Sequence, residues 1–322
     1  MKTEKTSSAF AKYTWIVLAY NIVVIIWGVF LRASKSGDGC GQFWLTCNGE
    51  MIPSAPELKT IIEFSHRVTS GIAFVAVLIL LIWAFRKFES VNPIRKTAVV
   101  SFIFIITEAL VGAGLVLTGN TAEALTAARP FWAIGHLTNT FILLAFLTLT
   151  AWFASSGRRI SLNCEPKALM LLGLAVIALF LVGTSGSVAA LSSMLFPSTS
   201  VGEGIVKDFA NSSHGLLRLR LSHPILSIMT SVYLIFLAGW LKRQSDNDPF
   251  VGYWSNILSV LILLQIAFGA LTLLTLGPIV MQLGHLFLAD AVWISFILMA
   301  ANFLAKQHEA DNLFSKQTPV NI

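Results

Sequence analysis

The stretch Glu63–Lys87 reads EFSHRVTSGIAFVAVLILLIWAFRK, and it decides the class of fold. Its interior, Val68–Phe85, holds no charged side chain. A helix that crosses a membrane needs about 20 mostly apolar residues, so this segment predicts a transmembrane helix. Its beginning is polar, because Glu63, His66 and Arg67 stand together at the expected membrane boundary.

The rest of the chain follows the same pattern. Of its 322 residues, 56% are hydrophobic and 12% are charged, and the mean hydropathy is +0.77. Soluble domains carry about twice this charged fraction, so we expect an all-α integral membrane protein. No signal-peptide cleavage pattern follows the first apolar run, which therefore predicts a helix. The runs predict eight transmembrane helices, at roughly 14–31, 62–86, 97–118, 131–155, 167–190, 219–242, 253–276 and 280–305.

The distribution of lysine and arginine predicts the orientation. With the amino terminus inside, most of the 22 Lys and Arg residues fall in inner segments, among them Arg86, Arg158, Lys242 and Arg243. The positive-inside rule then predicts that both termini are cytoplasmic. The amino terminus does not resemble a mitochondrial transit peptide, which favours a bacterial cell (plasma) membrane. No basic stripe lies on a soluble face, so no nucleic-acid partner is expected.

The three cysteines fall on two sides of the membrane. Cys40 and Cys47 lie on the first outer loop, where disulfides persist, whereas Cys164 lies on an inner loop, where thiols stay reduced. We predict a Cys40–Cys47 disulfide and a free Cys164 thiol. The enclosed loop is short, so the bridge adds only about 2 to 3 kcal/mol in the chain-entropy model. Its main role is therefore expected to be shaping the loop.

An internal repeat relates the two halves of the chain. FSHRVTSGIAF aligns with LSHPILSIMTS, and EALVGAGL aligns with QIAFGALT, so that position 66 matches 223 and position 108 matches 265. The triplet GHL at 135–137 recurs at 284–286. Each copy has an even number of spans, so both cross the membrane in the same sense. We predict two four-helix bundles, 1–157 and 158–322, related by a pseudo-twofold axis along the membrane normal.

Matched histidines are the strongest chemical signal in the repeat. A lone histidine in a membrane helix is usually a packing residue, but histidine pairs on facing helices can hold an iron porphyrin edge-on. Zinc fits less well, because it takes three or four protein ligands. His214 and His308 are interpreted as surface residues. The four matched histidines lie roughly 7 Å below the outer surface and predict one haem site in each bundle: His66, His136, His223 and His285.

The two predicted sites differ beside their histidines. The counterpart of Glu63 is Arg220, and the counterpart of Arg67 is Pro224. Because guanidinium groups bind carboxylates in a bidentate manner, Arg218 and Arg220 are expected to contact haem propionates. This asymmetry predicts unequal roles for the two sites.

Acidic residues have two interpretations each. The sequence TIIE, ending at Glu63, fits a helix capping box, and the position of Glu63 near His66 on the same helical face fits a catalytic acid. Glu108 and Asp290 lie within predicted spans, where an ionisable residue is a functional candidate by default. Either of these two is equally explained as a protonated group hydrogen-bonded between helices.

These motifs together resemble the haem A synthase family, bacterial type. The resemblance covers all eight spans and includes SGDGCGQFWLTCNG on the first outer loop, EFSHR, LRLRLSHP and both GHL triplets. It implies oxidation of a ring methyl of haem O to a formyl group through hydroxylated intermediates, which gives haem A for cytochrome oxidase. The chain departs from the family pattern at Glu108, where glutamine is expected, and at Pro224, where arginine is common.

The resemblance also implies roles for individual residues. His66 and His136 would ligate the substrate haem O, and Glu63 would assist oxidation of the methyl group. His223 and His285 would ligate the iron of a cofactor haem b. The expected partners are membrane lipid, haem O synthase, cytochrome oxidase and an unidentified electron carrier.

Two other functions remain open at this point. A di-haem b-type cytochrome, acting as an electron-transfer subunit, would keep both haems as permanent cofactors, but it gives no reason for an acid in one half only. A transporter or haem exporter built from parallel repeats would line a path through the whole membrane with polar residues. The candidate polar groups instead cluster near the outer face.

Overall fold

The computed structural model describes residues 8–162, 164–210 and 213–317. The predicted cytoplasmic position of the two chain ends therefore lies outside the described residues. Every named element of the described part is a helix, and the only pairing of strand type there is an isolated bridge between Cys47 and Glu50. The helices are α1 Ser8–Ala33, α2 Leu58–Lys87, α3 Pro93–Leu117, α4 Arg129–Ser156, α5 Pro166–Leu195, α6 Val201–Phe209, α7 Gly215–Arg220, α8 Ser222–Gln244, α9 Pro249–Leu274 and α10 Ile279–Gln317.

Eight helical segments of the described residues are long and apolar enough to cross a membrane. They confirm the predicted spans, with α7 and α8 together forming the sixth, Gly215–Gln244. Several helices begin earlier than predicted, because Pro93, Pro166 and Pro249 open the first turn of α3, α5 and α9. Proline is favoured there, and hydropathy does not detect a polar first turn.

Helices α4 and α10 form the centre of the molecule. In their most apolar windows 72% and 56% of residues are buried, against 28% or less in the other spans. Between them, the Trp293 indole donates to the Phe141 carbonyl at 2.8 Å, and their rings stack with centroids 5.4 Å apart. This contact joins the two halves of the chain through a shared apolar core.

The two histidine-bearing helices of each half share one neighbouring helix. Within the described residues α2 and α4 both pack closely against α3, and α8 and α10 both pack closely against α9. One contact does not recur, because α1 packs against α4 whereas α5 has no comparably extensive contact with α10. The pseudo-twofold axis and the division at residue 157 stay predictions.

The loop between α1 and α2 contains the predicted Cys40–Cys47 disulfide, which the structure confirms. Cys164 takes part in no disulfide among the described residues. The loop packs on the first turn of α2, where the Thr60 hydroxyl donates to the Gly39 carbonyl at 2.7 Å. The disulfide loop, defined here as residues 40–47, is therefore held against the first turn of α2.

Candidate functional site

The histidine pair of the amino-terminal half lies on α2 and α4. Both His66 and His136 stand about two turns in from the first residue of their helix, since α2 begins at Leu58 and α4 at Arg129. Their imidazoles are close enough to interact electrostatically. The Nδ1 atom of His66 is buried and has no hydrogen-bond partner among the described residues. Such a buried polar atom requires a partner, and a bound group would supply one.

Glycines lie against three of the four imidazoles. A Cβ added to Gly28 on α1 would lie 3.0 Å from Cε1 of His66. The corresponding distances are 2.9 Å from Gly186 to His223 and 2.8 Å from Gly269 to His285. Each of these imidazoles therefore packs directly on the backbone of a neighbouring helix. Sequence reasoning assigned none of these three glycines to a histidine, although an isolated glycine within a helix often has a packing reason.

The histidine pair of the carboxyl-terminal half has measurable ring geometry. The ring centroids of His223 and His285 are 6.3 Å apart, and the planes are inclined by 86°. Two imidazoles that share one metal ion, each bonded at about 2 Å, have ring centres about 6 Å apart. The Ser185 hydroxyl lies 3.2 Å from Nδ1 of His223, which leaves the other ring nitrogen to bind a metal.

Glu108 connects α3 to the histidine of α4. Its Oε1 lies 3.2 Å from Nδ1 of His136. The side chains of Asn139 and Thr140 each donate a hydrogen bond of 2.5 Å to the carboxylate. In the other half, Nε2 of Gln265 lies 3.5 Å from His285. The same pair of repeat positions therefore holds a carboxylate beside one histidine and a neutral amide beside the other.

Glu63 is bonded to the disulfide loop. Its side chain is 2% exposed, and its Oε2 accepts a hydrogen bond from the Cys40 backbone N–H at 2.8 Å. The predicted capping box is wrong, because α2 begins at Leu58 and its N-cap residue is Glu57. The N-cap makes no side-chain capping hydrogen bond. Thr60 lies within the first turn of the helix instead, so its hydroxyl bonds the loop.

Arg67 fixes the same loop from one turn further along α2. It pairs with Glu63, and its Nη1 donates to the carbonyls of Phe43 at 2.5 Å and Thr46 at 2.9 Å. Guanidinium groups suit such multiple contacts because their donors are fixed in one plane. Arg67 therefore holds the disulfide loop against α2.

Arg220 holds the outer segment of the carboxyl-terminal half. Its Nε lies 2.6 Å from Oδ1 of Asp208 on α6, and both side chains are largely buried. Arg220 also donates to the Gly204 carbonyl at 3.2 Å. The matched positions Glu63 and Arg220 therefore both attach an outer segment to a histidine-bearing span, with opposite charges. The propionate contacts predicted for Arg218 and Arg220 stay predictions.

Two ion pairs lie on the outer segments. Lys35 pairs with Glu123 and lowers the pKa of that carboxyl. Hydrogen bonding by Lys207 lowers the pKa of Glu203 to about 2. Both carboxylates stay charged at neutral pH, so both lysines are neutralised by neighbours.

The remaining candidates lie apart from the histidine pairs. His214 caps α7, because its Nδ1 accepts from the Leu216 backbone N–H at 3.2 Å. His308 lies on α10, near the end of the part of that helix whose side chains the structure describes. Asp290 is 1% exposed, and neither carboxyl oxygen has a hydrogen-bond partner among the described residues. The part of the chain that the structure describes contains no group of three or more metal-binding side chains.

Comparisons with known proteins show the family to which this chain belongs. A family model described as cytochrome oxidase assembly protein, COX15-CtaA, matches residues 11–297. The chain belongs to this family. It is 27% identical over 318 residues to the heme A synthase of Bacillus cereus, covering 96% of this chain and 99% of that protein. The resemblance to the haem A synthase family is thereby confirmed.

A second group of relatives is longer than this chain. Proteins named protoheme IX farnesyltransferase from two strains of Thermus thermophilus are 41% and 40% identical to it over 299 residues. The match covers 93% of this chain but 49% of each of those proteins. The chain thus spans about half the length of these curated relatives.

Proposed function

We propose that this protein is a haem A synthase that oxidises a ring methyl of haem O to a formyl group through hydroxylated intermediates. The observation that carries the proposal is the unequal surroundings of two histidine pairs on one repeated framework. Carboxylates, Glu63 and Glu108, accompany the amino-terminal pair. The matched positions hold Arg220 and Gln265. The full-length similarity to a heme A synthase supports the same reaction.

In this proposal the amino-terminal pair, His66 and His136, holds the substrate haem O. His223 and His285 hold haem b, which supplies one-electron chemistry when bound. The orphaned Nδ1 of His66, the glycine contacts and the ring separation of the second pair all fit bound haem. An electron-transfer cytochrome with two permanent haems needs no carboxylate on one side only, so the asymmetry favours the enzyme.

Glu63 is proposed to act on protons released as the methyl group is oxidised. The conversion adds one oxygen atom to the methyl carbon and removes two hydrogen atoms. With water as the oxygen source it releases four protons and four electrons, the electrons passing to the expected electron carrier, so a nearby base assists it. Glu63 is buried and fixed by Cys40 and Arg67, which prevents it from turning toward solvent. A fixed carboxylate stabilises positive charge that develops on the substrate side of the site.

The longer relatives support a proposed partner. The full length of a heme A synthase matches this chain, whereas only half of each farnesyltransferase does. We infer that the remaining half of those proteins carries the prenyl transfer, and that this chain receives haem O from a separate haem O synthase. Haem A would then pass to cytochrome oxidase at the same bacterial membrane.

Mass spectrometry of haems extracted after co-expression with a haem O synthase tests the function. A haem that has gained one oxygen and lost two hydrogens relative to haem O is expected only when this chain is present. A His66→Ala variant serves as the control, because it should abolish the product while haem b remains. Haem b alone, with unchanged haem O in the membranes, would instead support a b-type cytochrome.

A further inference from the structure

Arg32 is a partly buried cation in the last turn of α1, at the outer end of the amino-terminal half. Gly28 lies four residues earlier, and its backbone packs on the imidazole of His66. Residues four apart lie on the same face of a helix, about 6 Å apart along its axis. Arg32 therefore lies on the face of α1 that meets His66, one turn closer to the outer surface.

A second cation lies beside Arg32. Arg129 is the first residue of α4, which packs against α1, and the charges of Arg129 and His136 both repel the charge of Arg32. The Arg129 guanidinium donates to the backbone carbonyls of Ala122 and Ala124. Arg32 makes no salt bridge among the described residues, whereas Arg129 is attracted by Glu123, whose carboxylate pairs with Lys35. Two neighbouring cations in a partly buried place are unfavourable unless an anion binds between them.

We propose that Arg32, with Arg129 beside it, binds the propionate carboxylates of the haem held by the amino-terminal histidines. The inference rests on the proposed function, because it assigns the carboxylate-recognition residue of that substrate site. A guanidinium recognises a carboxylate through paired hydrogen bonds. Contact at the outer edge fixes which edge of the porphyrin faces the surface, and so which methyl group faces Glu63.

The carboxyl-terminal half lacks this cation. Gly186 packs on His223 as Gly28 packs on His66. The residue four positions after Gly186 is Ala190, where the first half has Arg32. Arg220, the cation nearest in sequence to His223, is paired with Asp208. Recognition by Arg32 thus belongs to one half only and distinguishes the substrate site from the cofactor site.

Titration of the purified full chain with two probes tests the inference. The protein comes from cells without haem O synthase, and the probes are iron protoporphyrin IX with free propionates and its dimethyl ester. His66→Ala identifies the absorbance change that belongs to the amino-terminal site. The wild type should bind the free acid about tenfold more tightly than the ester, as expected for a charge-assisted contact.

Arg32→Ala should lose this preference by weakening only the free acid, and Arg32→Lys should retain part of it. Lys207→Ala removes a cation of the carboxyl-terminal half, where it pairs with Glu203, and should behave as the wild type. The inference is overturned if Arg32→Ala keeps the preference, or if the wild type shows none. A retained preference in wild type together with an absence of haem A formation would leave the binding role intact and reject the proposed reaction.

Discussion

Glu63 and Cys40 are joined by a hydrogen bond of 2.8 Å, from the loop backbone N–H to the carboxylate of α2. The candidate catalytic acid and the disulfide loop are therefore one structural unit. Arg67 completes it by pairing with Glu63 and donating to loop carbonyls. A change in any of the three residues is expected to affect both the position of the loop and the candidate substrate site.

Glu63→Ala should lower haem A formation by about 100-fold or more, in the range typical of a lost general base. Haem b binding should persist, because Glu63 lies in the other half. Glu63→Gln is the matched variant, since its amide oxygen can still accept from Cys40 but carries no charge. Product yield is measured by mass spectrometry of extracted haems. If the glutamine variant keeps full activity, the carboxylate acts as a loop anchor and has no catalytic role.

Arg67→Ala should loosen the disulfide loop while leaving the Cys40–Cys47 bridge intact. The variant loses the hydrogen bonds to Phe43 and Thr46, and it leaves Glu63 buried without its cation, which costs several kcal/mol locally. Hydrogen exchange of the loop amides should become faster. Lys59→Ala, which removes an exposed partner of Asp38 beside the same loop, should leave exchange unchanged, and equal effects of the two variants would contradict this assignment.

The sequence predicts the spans and the disulfide because both depend on local properties. The length of each apolar run can be read directly from the sequence and predicts the spans. The number of spans then predicts the compartment of each loop, and with it the disulfide. The capping box failed because α2 begins at Leu58, before the apolar run. The contact from Glu63 to Cys40 joins distant segments, and no spacing rule encodes it. Glu108 was a functional candidate because a carboxylate within a membrane span is energetically costly. Its contact with His136 could be identified only from the fold.

Glu108→Gln should make the amino-terminal site resemble the carboxyl-terminal one, where Gln265 is the counterpart. A carboxylate beside the ring N–H of a histidine ligand increases its basicity and favours the oxidised metal. The reduction potential of haem bound by His136 should therefore rise, and binding should persist. Redox titration followed by absorbance measures the potential. Gln265→Glu is the reciprocal variant and should lower the potential of the other haem; an unchanged potential in both would show that these contacts do not tune the metal.

Gly28→Ala should displace His66 and reduce haem binding in the amino-terminal half alone. The added Cβ would lie 3.0 Å from the imidazole, a close contact that costs about 1 to 3 kcal/mol when the surroundings cannot move. Gly186→Ala should do the same to His223 and remove haem b, because its distance is 2.9 Å. Gly71→Ala is the control, since no atom lies within 4 Å of its added Cβ. Extracted haem content and absorbance spectra distinguish the three variants. Loss of both haems in either single variant would mean that the glycines maintain the whole fold, whereas separate losses would show that each supports one histidine.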